Sequence, residues 1–223
     1  MVELVLGVDD AGRGPVIGPM ILCGCIVDKK HDKELRNIGV KDSKLVTPSR
    51  REFLEKKIKE LAQSYELIVC SPEEIDITNS EGLKLNEFEA EHFAQIINKL
   101  NKGDERLKVV VDCPSPTIKK WEDYLKKRVN NLSNLEVSAE HKADKNHIAV
   151  SCASILAKCE RERQMDKIKE KFGSEVGSGY PSDPLTIRFL EKNAKKYQNE
   201  GIFRRSWITY KKAFDKINQQ TLF

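Results

Sequence analysis

The segment Leu4-Val5-Leu6-Gly7-Val8-Asp9-Asp10-Ala11-Gly12-Arg13-Gly14-Pro15 restricts this chain more than any other. A short apolar run of this kind reads as a buried strand, and it ends in two adjacent carboxylates followed by a glycine-rich turn. A strand packed in a sheet holds its last residue rigidly, so Asp9 is expected at a fixed place on the sheet's edge. On a regular strand Asp9 and Asp10 point to opposite faces, unless the strand ends or bulges there. Gly12 and Gly14 let backbone N–H groups approach a ligand closely, and Arg13 between them offers a cation suited to phosphate. Carboxylates beside such a turn suit a divalent metal next to a phosphodiester. A strand-end aspartate also serves as a turn or cap residue, and Gly-x-Gly is common in tight turns. A dinucleotide-binding loop is excluded. That motif needs glycine where Ile17 stands, and the apolar run Met20 to Val27 follows too soon for a crossover helix.

The rest of the chain alternates strand and helix patterns. Met20 to Val27 reads as a second strand with Cys23 and Cys25 on one face, and Asp32 to Arg36 as a short polar helix. Thr47-Pro48 supplies a cap and first turn for a helix with the apolar stripe Phe53, Leu54, Ile58 and Leu61. Tyr65 to Cys70 reads as a strand, and Ser71-Pro72 repeats the cap signal. Leu85 to Leu100 carries Phe93, Ile96, Ile97 and Leu100 at helical spacing. Leu107 to Val111 is a buried strand that again ends in an aspartate, Asp112. A helix over Thr117 to Val129, a strand over Leu135 to Ala139 and a long helix over Ala149 to Phe172 follow. The first half of that helix is lined with Ala149, Cys152, Ala153 and Ala157, small residues that permit close approach to a sheet. The pattern predicts an α/β fold, a mixed sheet flanked by helices. The Gly- and Pro-rich stretch Gly173 to Pro184 divides a main domain, residues 1–173, from a helical C-terminal part, residues 174–223.

A net charge of +4 permits a nucleic-acid partner without requiring one. The six cysteines form no C-x-x-C pair and sit mostly in apolar runs, which suits buried, reduced thiols and a cytoplasmic protein. No stretch approaches the ~20 apolar residues of a membrane span. The start Met1-Val2-Glu3-Leu4 has no basic n-region, so neither membrane insertion nor secretion is expected.

Two buried strands ending in Asp9 and Asp112 are more telling than either alone, because ligands gather at the carboxyl ends of strands in open α/β sheets. Asp144, just before the long helix, is a third candidate, with capping of that helix as its structural alternative. Asp9, Asp10, Asp112 and Asp144 offer hard oxygen ligands, suited to Mg²⁺ or Mn²⁺ rather than zinc. His141 and His147 flank Asp144 and fit surface or cap roles better than ligand roles. Arg13, Lys41 and Lys44 are candidate phosphate contacts. Tyr180, between Gly179 and Pro181, could stack on a nucleotide or cover a small apolar patch.

Taken in order, Asp9-Asp10-Ala11-Gly12-Arg13-Gly14-Pro15, Lys41-Asp42-Ser43-Lys44, Val111-Asp112, His141-Lys142-Ala143-Asp144 and Gly177-Ser178-Gly179-Tyr180-Pro181-Ser182-Asp183-Pro184 resemble ribonuclease HII, the type 2 ribonuclease H, especially its archaeal members. The resemblance runs from Leu4 to about Lys212. It implies a ribonuclease H-like fold with a helical C-terminal extension. It also implies a metal-dependent endonuclease that cleaves the RNA strand of RNA/DNA hybrids and nicks 5′ to ribonucleotides embedded in duplex DNA, leaving a 3′-hydroxyl. By motif position, Asp9, Asp10, Asp112 and Asp144 would bind Mg²⁺ or Mn²⁺. Gly12, Arg13 and Gly14 would read the 2′-hydroxyl at the RNA–DNA junction, and Tyr180 would stack under the following deoxyribose. Ser43 and Lys44 would hold the phosphate backbone, and the protein would act as a monomer.

One departure matters. The family usually carries glutamate where this chain has Asp10, which retracts the carboxylate by about 1.5 Å. Mg²⁺ demands near-ideal octahedral geometry, so slower cutting or a greater dependence on Mn²⁺ is expected. The rival reading is a junction-binding protein whose catalysis Asp10 impairs. The tail Gln219-Gln220-Thr221-Leu222-Phe223 resembles a shortened sliding-clamp box, with Gln219, Leu222 and Phe223 as its docking residues.

Overall fold

The computed structural model of the protein describes residues 3–40, 47–103 and 105–220. The opening apolar run forms β1 (Leu4–Ala11), which pairs antiparallel with β2 (Met20–Asp28). Strand β3 (Ser64–Cys70) lies beside β2, while β4 (Leu107–Asp112) and β5 (Leu135–Glu140) extend the sheet in parallel on the other side of β1. The order is β3-β2-β1-β4-β5, the mixed sheet expected from the alternating pattern. Since β1, β4 and β5 run the same way, their carboxyl ends share one edge of the sheet.

The helices are α1 (Asp32–Asn37), α2 (Pro48–Leu61), α3 (Pro72–Ser80), α4 (Leu85–Leu100), α5 (Ile118–Lys126), α6 (Ala143–Asn146), α7 (Ile148–Phe172), α8 (Pro184–Asn193) and α9 (Ile208–Gln220). Both proline-led starts form as expected. The Thr47 hydroxyl accepts the Arg50 N–H, and Ser71 with Glu74 closes a reciprocal capping box on α3. Two expectations are corrected. Phe53 is 41% exposed beneath the Arg50 guanidinium, so the stripe of α2 rests on Leu54 and Ile58, with Leu61 packed partly buried against the same core. Helix α5 stops at Lys126 instead of Val129, because the Arg128 and Val129 amides bond three residues back and tighten the chain out of the α-helix.

The chain packs as two compact units. The first comprises Met1–Ala11, Ile21–Ile68 and Asn86–Cys159 and carries the sheet. On one face, Cys23, Cys25 and Val27 of β2 meet Leu54 and Ile58 of α2 and Ile148, Cys152, Ala153 and Leu156 of α7. Gly7 is what lets α7 sit so low, since a Cβ there would fall on the backbone of Ala149 and Val150. On the other face Gly24 admits Ile96 and Leu100 of α4 against Leu6.

The second unit comprises Gly12–Met20, Val69–Leu85 and Glu160–Phe223. Its core gathers Val16, Ile17, Met165, Phe189, Phe203 and Tyr210. Ile17 and Phe203 form an isolated antiparallel bridge, and Asp76 accepts the N–H groups of Arg205 and Ser206 just before α9. Among the described residues no helix is long and apolar enough to cross a membrane.

Candidate functional site

Register decides which acidic residues meet. Val8 pairs with Val111 across β1 and β4, so the next residues on these parallel strands, Asp9 and Asp112, come out side by side. Strand β1 does not end at the carboxylates. Its pairing with β2 continues unbroken through Asp9↔Cys23, Asp10↔Leu22 and Ala11↔Ile21, so Asp9 and Asp10 follow the pleat to opposite faces. Asp9 is 5% exposed, whereas Asp10 and Asp112 are half-buried. Burial and the charges of Asp10 and Asp112 push the Asp9 carboxyl well above its ordinary range. Hydrogen bonds from the Ser154 hydroxyl and from the Asp10 N–H (2.8 Å) oppose that rise without cancelling it. Ser154 is itself buried on α7 and accepts from Lys158 Nζ at 2.8 Å, so a lysine stands one hydroxyl away from Asp9.

Asp144 lies beyond the end of β5, which stops at Glu140. After β5 the chain turns sharply through Lys142, whose φ of 58° lies in the left-handed region that L-residues rarely adopt. That turn aims the Ala143 N–H at Asp112 Oδ1, 2.8 Å away, and places Asp144 in the short helix α6. Asp144 is buried and sits inside its own helix, ahead of the start of α7. The flanking histidines are engaged elsewhere. His141 Nδ1 donates to the Cys113 carbonyl at 3.0 Å, and His147 Nε2 donates to Glu140 at 2.9 Å.

This donor set fits a divalent cation of the Mg²⁺ or Mn²⁺ type. A cation beside Asp9 would offset the burial and the neighbouring negative charges that oppose its ionisation. Among the described residues no group of three or more His, Cys, Asp or Glu side chains encloses an ion by itself.

The second unit builds the glycine turn. Gly12 has φ +86°, and a Cβ on it would lie 2.6 Å from the Arg161 side chain and 2.9 Å from the Pro19 carbonyl, so only glycine fits. Gly179 accepts the N–H groups of Val16 (2.8 Å) and Ile17 (3.2 Å), which stitches the Gly177–Tyr180 loop to the turn. A Cβ on Gly14 would lie 3.7 Å from the Tyr180 ring, and that ring is 37% exposed. Arg161 spans the arrangement. Its Nη2 donates to the Ser178 carbonyl at 2.9 Å, and its guanidinium carbon lies 4.9 Å from the centre of the Tyr180 ring. Tyr180 is therefore a ring held on one side by a cation and open on another. The glycine turn and Tyr180 thus lie together in the second unit.

Residues 6–210 match the family model for ribonuclease HII. The chain belongs to the ribonuclease HII family. It is 39% identical over 229 residues to ribonuclease HII of Methanocaldococcus jannaschii, covering 98% of both chains. It is 42% identical over 221 residues to that of Pyrococcus horikoshii, covering 98% of this chain and 97% of the relative. The crystal structure of ribonuclease H2 from Pyrococcus horikoshii superposes with a TM-score of 0.86 at 40% identity, over 97% of this chain and 99% of that one. The structure of the PCNA:RNase HII complex from Archaeoglobus fulgidus gives 0.80 at 36% identity, over 92% of this chain and 95% of that one. A ribonuclease HIII solved in complex with Mn²⁺ gives 0.77 at 16% identity, over 98% of this chain and 71% of that one, a likeness of fold alone. The ribonuclease H-like fold and type 2 ribonuclease H activity follow from the ribonuclease HII relatives.

Ser43, Lys44 and Lys41 lie outside the described residues, as do Leu222 and Phe223, while Gln219 is exposed near the end of α9. Sequence reasoning missed Ser154, Arg161 and Arg204. The first two sit on α7 among residues that read as core and solvated face. Arg204 lies in a basic dipeptide with no local pattern to mark it.

Proposed function

We propose that this ribonuclease H is a metal-dependent endonuclease that cuts the RNA strand of RNA/DNA hybrids and nicks duplex DNA on the 5′ side of an embedded ribonucleotide. The observation that carries this reading is the register of β1 and β4, which sets Asp9 beside Asp112 at one edge of the sheet in a chain of the ribonuclease HII family. Asp9, Asp10, Asp112 and Asp144 would hold Mg²⁺ or Mn²⁺. Such ions supply charge to stabilise the phosphodiester transition state and to activate the attacking water. The chain's own part is to orient those carboxylates. Ser154 and the Asp10 amide fix Asp9, and the Ala143 amide fixes Asp112. Water adds to phosphorus and the bond to the 3′-oxygen breaks, leaving a 3′-hydroxyl and a 5′-phosphate.

Gly12, Arg13 and Gly14 would recognise the ribose 2′-hydroxyl through their backbone, the one handle that separates RNA from DNA at a given position. Tyr180 offers an exposed face for the following deoxyribose. Ser43 and Lys44 would bind phosphate, the enzyme would act as a monomer, and the tail residues Gln219, Leu222 and Phe223 would dock on a sliding clamp. The Archaeoglobus fulgidus complex with PCNA supports that last assignment. The competing reading, a junction-binding protein impaired by Asp10, makes the same binding prediction and the opposite catalytic one. Asp9→Asn and Asp112→Asn should each abolish nicking of a duplex with one ribonucleotide while duplex binding persists. Undiminished nicking by both variants would refute the assignment.

A further inference from the structure

Arg204 is fully buried, and it spends its guanidinium on the main chain. Nη2 donates to the Gly12 carbonyl at 2.6 Å, Nη1 to the Arg13 carbonyl at 2.9 Å and Nε to the Gly18 carbonyl at 3.1 Å. Its own amide donates to the Val16 carbonyl at 2.9 Å, and its guanidinium carbon lies 5.2 Å from the Trp207 ring. One side chain thus grips both ends of the glycine turn.

The consequence follows from peptide geometry. In a trans peptide the C=O and the next residue's N–H point in opposite directions within one plane, and the described residues contain no cis bond. The Gly12 carbonyl is drawn to Arg204, so the Arg13 N–H points away from it. The Arg13 carbonyl is drawn the same way, so the Gly14 N–H also points away. Arg204 is buried, Arg13 half-buried and Gly14 exposed, so these amides point away from the buried guanidinium. The geometry points to Arg204 as the positioning residue that aims the Arg13 and Gly14 amides and thereby sets selectivity for a ribose 2′-hydroxyl. This deepens the reading of the turn given above and rests on it. Lysine cannot replace it, because a single ammonium on a flexible stem cannot span three carbonyls in a planar fork.

The test is binding of two duplexes that differ only in whether one nucleotide is ribo or deoxy, with Ca²⁺ as the divalent ion so that cutting is suppressed. The intact protein should favour the ribonucleotide. Arg204→Lys should lower that preference roughly ten-fold, the scale of one or two well-aligned hydrogen bonds. Affinity for the all-DNA duplex should stay within about two-fold of the intact protein's. A purely structural role would weaken both affinities together. Gly14→Pro removes one of the amides without touching Arg204 and should lose the preference too, which keeps the test open if Arg204→Lys does not fold. A preserved preference in folded Arg204→Lys overturns the inference alone, whereas a preserved preference in Gly14→Pro overturns it together with the reading of the turn. An intact protein that shows no preference overturns the reading of the turn along with it.

Discussion

At the scale of single residues, the site is built at the expense of stability. Asp9 holds its proton more tightly in the folded than in the unfolded chain, because burial, Asp10 and Asp112 all oppose its charge. For an acid shifted upward, stability falls as pH rises past the ordinary carboxylate value of 3.8, and the loss persists at neutral pH. In metal-free buffer at pH 7, Asp9→Asn should therefore melt about 2–6 °C higher than the intact protein. The gap should close as the pH is lowered toward the carboxylate range, and thermal unfolding with a chelator across that range checks both statements. The two glycines of the turn should separate just as clearly. Gly12→Ala meets a positive φ, Arg161 and the Pro19 carbonyl, and should cost more than about 2 kcal/mol. Gly14→Ala meets only ordinary contact with Tyr180 and should change stability by less than about 0.5 kcal/mol. Urea midpoints of the two variants measure the difference.

At the scale of elements, the sheet was legible because strand and helix periods are local. Helix α4 forms over the residues its apolar spacing marked, and the strands that carry Asp9 and Asp112 run one residue or more past the apolar stretch into the acids. The stripe of small residues on α7 was legible too, but its counterpart was not. Gly7 looks like any strand glycine until α7 is laid across it. Gly7→Ala should destabilise the protein by about 3 kcal/mol, because the obstacle is backbone and cannot move aside as a side chain would. Ser71→Ala, which opens the capping box of α3, should cost only about 1 kcal/mol. Equilibrium unfolding of both variants tests whether close packing of β1 on α7 outweighs a well-formed cap. The end of α5 escaped the sequence for a similar reason, since three-residue turns and the last turn of an α-helix share one pattern of side chains.

At the scale of the whole molecule, what could not be read was long-range partnership. Asp9 and Asp112 were legible as acids at the end of apolar strand patterns, and register sets these two side by side. Arg204 grips residues 186 to 192 positions away in sequence, and nothing in the chain near it signals that reach. The compact units are likewise interleaved, with residues 12–20 and 69–85 packed in the same unit as residues 160–223, whereas composition marks only the linear break after Gly173. Asp10 tests how far the family's chemistry carries over, since the resemblance implies glutamate at that position. The most direct measurement is cleavage of a DNA duplex containing one ribonucleotide, by the intact protein and by Asp10→Glu, in Mg²⁺ and separately in Mn²⁺. The account predicts a metal-dependent nick on the 5′ side of the ribonucleotide by both proteins, with Asp10→Glu gaining more in Mg²⁺ than in Mn²⁺. No nick from either protein in either ion would contradict it.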